Sequence, residues 1–178
     1  MSLPSRSRYS TVVRLAHWLT VLAIVAAYVL VELGDDDERG SSPALAMQGH
    51  YLAGLAVLVL LVIRVVGMAR GHRPAIVPAP GRPSMLAARI THLALYLFLL
   101  AEPILGILTV NYAGEAVTLP WSGVSLPMLV HADAGARDVV EEWHETLGEI
   151  FYWVIGLHIA AALWHHLVKR DNTLRRML

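Results

Sequence analysis

Four apolar stretches dominate the sequence, and they restrict the chain to folds that a membrane can host. They cover about residues 15–33, 51–69, 90–110 and 146–168. A helix needs about 20 residues to cross the hydrocarbon core of a bilayer. Only 16% of the 178 residues are Asp, Glu, Lys or Arg, against about 25% in an average soluble domain. We therefore predict one all-α domain over residues 1–178, folded as an integral membrane four-helix bundle.

The segments between these stretches, at 34–49, 70–89 and about 111–143, have the composition of loops. The second contains HRPAIVPAPGRP, which is too rich in proline to be helical throughout. The third contains VTLPWSGVSLPMLV. The prolines of this segment and Trp121 indicate a piece that lies in the membrane interface, and not a fifth span.

The distribution of charge predicts the orientation of the bundle. Of the 14 Lys and Arg residues, all but Arg39 and Arg137 lie at the two termini or around the second loop. The positive-inside rule therefore places both termini and the second loop in the cytoplasm. The opposite face is acidic, with Asp35, Asp36, Asp37, Glu38, Glu141, Glu142, Glu145 and Glu149.

The residue types present exclude several classes of cofactor and partner. The chain has no cysteine, which excludes disulfides, iron–sulfur clusters and covalently attached c-type haem. The net charge is zero with histidine neutral. We expect membrane lipid, and no nucleic acid, around this protein.

Nine histidines in so apolar a chain need an explanation, because histidine is costly inside a bilayer. His144 and His158 are 14 residues apart in the fourth stretch, or about 21 Å along a helix axis. Fourteen residues are close to four whole turns, so both rings face nearly the same way. His165, seven residues further on, lies on the same stripe.

The other spans supply partners for these rings at matching depths. His50 opens the second span near the outer surface, and His17 lies near the cytoplasmic start of the first span. Depth then pairs His50 with His144 and His17 with His158. Two stacked histidine pairs in a four-helix bundle are what two bis-imidazole haems b require. Single packing histidines, a transition-metal site and a haem-free transport protein remain the alternatives.

Several neighbours of these histidines fit the haem hypothesis. Gly54 and Gly148 each follow a predicted ligand by four residues and would leave room for a flat macrocycle. Arg64 lies 14 residues after His50, where it would pair with a haem propionate or extend to the membrane surface. The sequence leaves the roles of His92 and Glu102 open.

Six segments together resemble the bacterial cytochrome b561 family over almost the whole chain. They are AHW, GHYLAG, THLALYLFLLAEPILG, WHETLG, IGLHIAAALWHH and KRDNTLRRM. The resemblance implies a dihaem b-type membrane cytochrome with axial ligands at His17, His50, His144 and His158. Pairing the histidines by their depth in the membrane selects the same four residues.

The resemblance also implies an activity, because characterised members of this type are superoxide oxidases. These take electrons from superoxide on the periplasmic side and reduce ubiquinone near the inner haem. The histidine that matches His165 lies at the quinone site in that type. The position of His165 beyond the inner haem fits the same role, and the alternative is a residue that anchors the helix end beside Lys169 and Arg170.

One feature departs from a superoxide oxidase. Superoxide is an anion, and a positive outer surface would attract it, whereas here that surface is acidic. Superoxide is the donor that we expect. The alternative is an electron-transfer subunit that links a periplasmic redox protein, such as a c-type cytochrome or a hydrogenase-like partner, to the quinone pool.

Overall fold

The structure, a computed structural model, describes residues 7–35, 43–120 and 122–178. Its helices are α1 (Thr11–Asp35), α2 (Pro43–Arg70), α3 (Arg82–Tyr112) and α4 (Ala134–Trp164), and a π-helical turn (His165–Lys169) continues α4. All four helices are long and apolar enough to cross a membrane. Among the described residues there is no strand, only an isolated bridge between Thr118 and Ser125. The predicted all-α, four-helix membrane fold is confirmed.

Neighbouring helices in the sequence pack against one another: α1 on α2, α2 on α3 and α3 on α4. Within the described ranges, the backbones of α1 and α4 do not come into contact. Side chains cross this gap instead. The Tyr28 hydroxyl of α1 donates to the Gly148 carbonyl of α4 at 2.7 Å, and the rings of Tyr28 and Tyr152 lie 4.2 Å apart. The bundle therefore holds space between its helices, as cofactor sites in bundles require.

The exterior of the bundle is apolar, and its core is small. Large side chains such as Leu22, Val62 and Trp153 are exposed, as expected for a surface that faces lipid. The core includes Phe98 of α3 and Phe151 of α4, whose buried rings stack with centroids 3.9 Å apart. Phe151 lies seven residues from both His144 and His158 on α4. The stack therefore lies midway between the two predicted haem depths.

α4 begins well before residue 146, where hydropathy places the start of the fourth span. Asp133 is its N-cap and accepts a hydrogen bond from the Ala136 N–H at 3.0 Å. Arg137 and Glu141 pair at 3.0 Å across the next turn. Hydropathy detects the apolar part of a helix only, so these polar first turns have the composition of a loop.

Residues 113–120 and 122–133 form a non-helical cap over the end of the bundle opposite the termini. The buried Asn111 side chain donates to the Glu115 carbonyl at 3.1 Å and accepts from the Leu129 N–H at 2.8 Å. Val117 is buried under this cap. The structure has no helix in the described part of this segment. Trp121, like Arg6, Arg39 and residues 36–38 of the acidic run, lies outside the described residues.

The C-terminal segment, residues 170–178, folds back beneath the other end of the bundle. The Trp18 indole N–H donates to the Met177 carbonyl at 2.9 Å, and the Tyr9 N–H donates to the Arg176 carbonyl at 3.1 Å. The Asn172 amide accepts from the Val77 N–H at 2.8 Å. These bonds tie the N-terminal residues, the second loop and the C-terminus together. We call this the terminal end, and the capped end the loop end.

Phe98→Ala should destabilise the protein by about 3 kcal/mol, because it removes one half of a buried stack and leaves a cavity. Leu97→Ala is the matched control, since Leu97 directly precedes Phe98 on α3 and is 58% exposed. Thermal unfolding in detergent, followed by circular dichroism, measures both. Equal losses in the two variants would contradict the packing described here.

Candidate functional site

Two histidines face each other near the loop end. His50 of α2 and His144 of α4 have ring centroids 6.1 Å apart. The His50 Nδ1–H donates to the Ala27 carbonyl of α1 at 2.8 Å, and the His144 Nδ1–H donates to the Glu102 carbonyl of α3 at 3.1 Å. A ring that donates through Nδ1 keeps the lone pair of Nε2 free. Both rings therefore have the tautomer that metal-ligating histidines adopt.

A cavity of about 440 Å³ lies between these helices. Both histidines line it, together with Gly54, Gly106 and Gly148. A Cβ atom at Gly106 would lie 3.2 Å from His144 Cε1, closer than a side chain normally comes. Glycine at this position lets the imidazole approach α3. Sequence reasoning missed Gly106, although its place one turn after Glu102, at the end of AEPILG, was a usable signal.

Glu102 also lines this cavity. Its Oε1 atom lies 3.4 Å from His144 Nδ1. Its Oε2 atom is buried, with no hydrogen-bond partner in the part of the chain that the structure describes. The residue therefore contributes twice to the surroundings of His144, through its backbone carbonyl and through its carboxyl group.

A second group of histidines lies toward the terminal end. His92 of α3 and His158 of α4 have ring centroids 5.4 Å apart. His17 of α1 lies in the same region as His158, His92 and Arg64. The structure thus brings together the predicted pair His17 and His158, and it adds His92 as a third imidazole.

Arg64 lies beside this group on α2. Its guanidinium is 5.5 Å from the centre of the Tyr96 ring. Its Nε atom is buried and has no hydrogen-bond partner among the described residues. A buried guanidinium N–H without a partner is suited to an anionic group such as a carboxylate. This position fits the predicted contact with a haem propionate.

His165, in the π-helical turn, contacts the C-terminal segment. Its Nδ1–H donates to Asp171 Oδ2 at 2.5 Å, and its Nε2 atom lies 3.4 Å from the Ser84 hydroxyl of α3. Asp171 is only 5% exposed, and its Oδ1 atom accepts from the Thr173 N–H at 2.8 Å. Burial alone would raise the pKa of Asp171, but the hydrogen bonds from His165 and Thr173 hold it below its usual value.

The donor set fits haem better than a bare metal ion. In the part of the chain that the structure describes, no three His, Asp or Glu side chains cluster closely enough to hold a metal ion. Paired imidazoles around an apolar, glycine-lined cavity are instead what a bis-histidine haem site needs. His72 and His131 are exposed and lie outside the helices.

The chain is similar to known proteins over nearly its whole length. The family model described as prokaryotic cytochrome b561 matches residues 8–178. "Cytochrome b561 homolog 1" of Escherichia coli (strain K12) is 37% identical over 175 residues, covering 97% of both chains. "Probable superoxide oxidase CybB" of Yersinia pestis is 35% identical over 164 residues, covering 91% of this chain and 90% of the relative. "Cytochrome b561 homolog 2" of Escherichia coli (strain K12) is 32% identical over 178 residues, covering 96% and 91%.

These matches cover nearly the whole chain, and the family model spans every histidine described above. The four apolar helices and the family match also establish a multi-pass protein of the bacterial inner membrane. The chain therefore belongs to the prokaryotic cytochrome b561 family, whose members bind haem b and transfer electrons.

Proposed function

We propose that this protein is a dihaem cytochrome that oxidises superoxide at the periplasmic face of the membrane and reduces ubiquinone near the cytoplasmic face. The observation that carries the proposal is the presence of two histidine groups at different depths of one bundle, 14 residues apart on α4. The name of the Yersinia relative, a probable superoxide oxidase, supports superoxide as the donor.

In this proposal four histidines hold two haems. His50 and His144 ligate the outer haem at the loop end, and His17 and His158 ligate the inner haem at the terminal end. Arg64 binds a propionate. When bound, each haem accepts and releases one electron at a time. The chain as a whole, residues 1–178, acts as one domain with both termini in the cytoplasm.

The overall reaction balances with two superoxide ions for each quinone. Two superoxide ions lose one electron each and become two molecules of O₂. Ubiquinone gains these two electrons and two protons, and becomes ubiquinol. We assign His165 to the quinone site, because it lies at the terminal end, partly buried, with Nε2 directed toward the polar group of Ser84. Such an imidazole can hydrogen-bond a quinone carbonyl and donate a proton to it.

A periplasmic redox protein is the second candidate donor, and the charge of the loop end favours it. Arg137 is paired with Glu141, so its charge is largely compensated. Glu142, Glu145 and Glu149 are exposed on the same part of α4. An acidic surface of this kind would attract a basic protein such as a c-type cytochrome and repel an anion.

The purified protein should contain two b haems per chain, both extracted by acidified organic solvent because no cysteine tethers them. His50→Ala and His144→Ala should each remove the same haem, and His17→Ala and His158→Ala should each remove the other. His131→Ala, in an exposed loop, is the control. Pyridine haemochrome spectra and a haem-to-protein ratio measure the losses. If His17→Ala and His144→Ala removed the same haem, the pairing would be wrong.

Superoxide alone should reduce the haems in stopped-flow experiments, and superoxide dismutase should abolish the reduction. Because the loop end is acidic, added salt should raise the rate with superoxide by screening repulsion. The same salt should lower the rate with a basic c-type cytochrome. Reduction by the cytochrome but not by superoxide would select the second candidate.

His165→Ala should leave both haems bound and reducible, while slowing their reoxidation by ubiquinone-1 by about 100-fold through the loss of a proton donor. His166→Ala is the matched control, since His166 is adjacent and equally part of the π-helical turn. Stopped-flow absorbance of the reduced haems measures the reoxidation rate. A wild-type rate in the His165 variant would place the quinone elsewhere, with His92 as the next candidate.

A further inference from the structure

We propose that Asp171 is a positioning residue for quinone reduction, which keeps His165 in the form that donates a proton from Nε2. The inference rests on the proposed quinone site at His165. Its basis is the contact between the two side chains: Asp171 Oδ2 accepts the Nδ1–H of His165 at 2.5 Å.

The local backbone explains why these two side chains meet. α4 continues into the π-helical turn, and Arg170 then takes a left-handed conformation, with φ of 52°. The Asp171 N–H donates back to the His165 carbonyl at 3.2 Å. This reversal returns the chain beneath the helix end and directs the Asp171 carboxyl group at the His165 ring. A left-handed residue other than glycine is uncommon and points to a conformation that its surroundings hold in place.

Both oxygens of the Asp171 carboxyl group are engaged, which fixes its orientation. Oδ2 accepts from His165, and Oδ1 accepts from the Thr173 backbone N–H. The carboxyl group is nearly inaccessible, with 4% of the side chain exposed. A buried carboxylate held in this way fixes the His165 ring with its Nδ1–H toward Asp171.

No other charged side chain competes for this pair in the described ranges. Neither Asp171 nor His165 forms an ion pair with Lys, Arg or Glu there. Arg176, in the same C-terminal segment, donates to the Pro74 carbonyl at 2.6 Å and lies over the Tyr9 ring. The group that faces His165 from α3 is the neutral hydroxyl of Ser84.

This geometry assigns one role to each ring nitrogen of His165. The Nδ1–H stays bonded to Asp171, and Nε2 lies on the opposite edge of the ring. In the proton step, the Nε2–H bond of the imidazolium breaks and a bond forms between that proton and a quinone oxygen. The two electrons come from the periplasmic one-electron donor, and water on the cytoplasmic side returns the proton to Nε2. Asp171 stabilises the imidazolium and itself gains or loses no proton.

The test is the pH profile of ubiquinone-1 reduction by the haem-loaded protein carrying Asp171→Asn. Asparagine keeps the shape and a hydrogen-bond acceptor but removes the charge. The alkaline limb of the kcat profile should move down by about one pH unit. The rate near pH 7.5 should therefore fall about tenfold and recover near pH 6. KM for ubiquinone-1, its Kd by equilibrium dialysis, and the haem content should stay within twofold of wild type.

Ser84→Ala is the matched control, because it removes the other polar neighbour of His165 and leaves the pair with Asp171 intact. It should not shift the profile. Asp171→Glu should restore part of the wild-type profile by returning the charge. An Asp171→Asn profile that falls evenly at every pH, or that matches wild type, would overturn the inference. If His165→Ala itself reduces quinone normally, it is the proposed quinone site that fails.

Discussion

The N–H group of an imidazole inside a membrane needs a hydrogen-bond acceptor, and the loop-end site depends on which groups accept. Each helix pair supplies one histidine and one backbone carbonyl: α1 accepts from His50 of α2, and α3 accepts from His144 of α4. The acceptors are carbonyls of rigid helices, so the rings are fixed by backbone and not by mobile side chains. One requirement of the bilayer thus produces the tautomer and the orientation that a haem iron needs.

The space for a cofactor follows from where the helices do not touch. α1 and α4 are joined by the side chain of Tyr28 and not by close backbone packing. Glycines at 106 and 148 keep the cavity wall free of side chains, since a Cβ atom at either would crowd His144 or Glu102. Contacts between α1 and α4 are therefore few. The stacked rings of Phe98 and Phe151 form a core between the two histidine groups.

Helical periodicity explains what could be predicted from the sequence, and folding over longer distances explains the rest. The stripe of His144, His158 and His165 follows from 3.6 residues per turn, and so does the need for partners at two depths. No sequence pattern identifies the backbone carbonyls of Ala27 and Glu102 as acceptors, because every residue carries a carbonyl. The contact between Asp171 and His165 could not be predicted from the sequence, because it depends on a π-helical turn and a left-handed Arg170. The position of His92 as a third imidazole could not be predicted either, because it depends on how α3 packs against α4.

The two half-reactions of the proposed function need different surroundings, and the two ends of the bundle differ in the same sense. A one-electron donor needs only an approach to a redox centre, whereas quinone reduction also needs protons from water. The terminal end carries the hydrogen-bonded side chains of His165 and Asp171. They lie in a segment bonded to the second loop and the N-terminal residues. Between the ends, Phe98 and Phe151 fill the centre with buried apolar rings. An apolar core of this kind excludes water. This suits the proposed function, in which electrons cross the membrane and protons are taken up on one side alone.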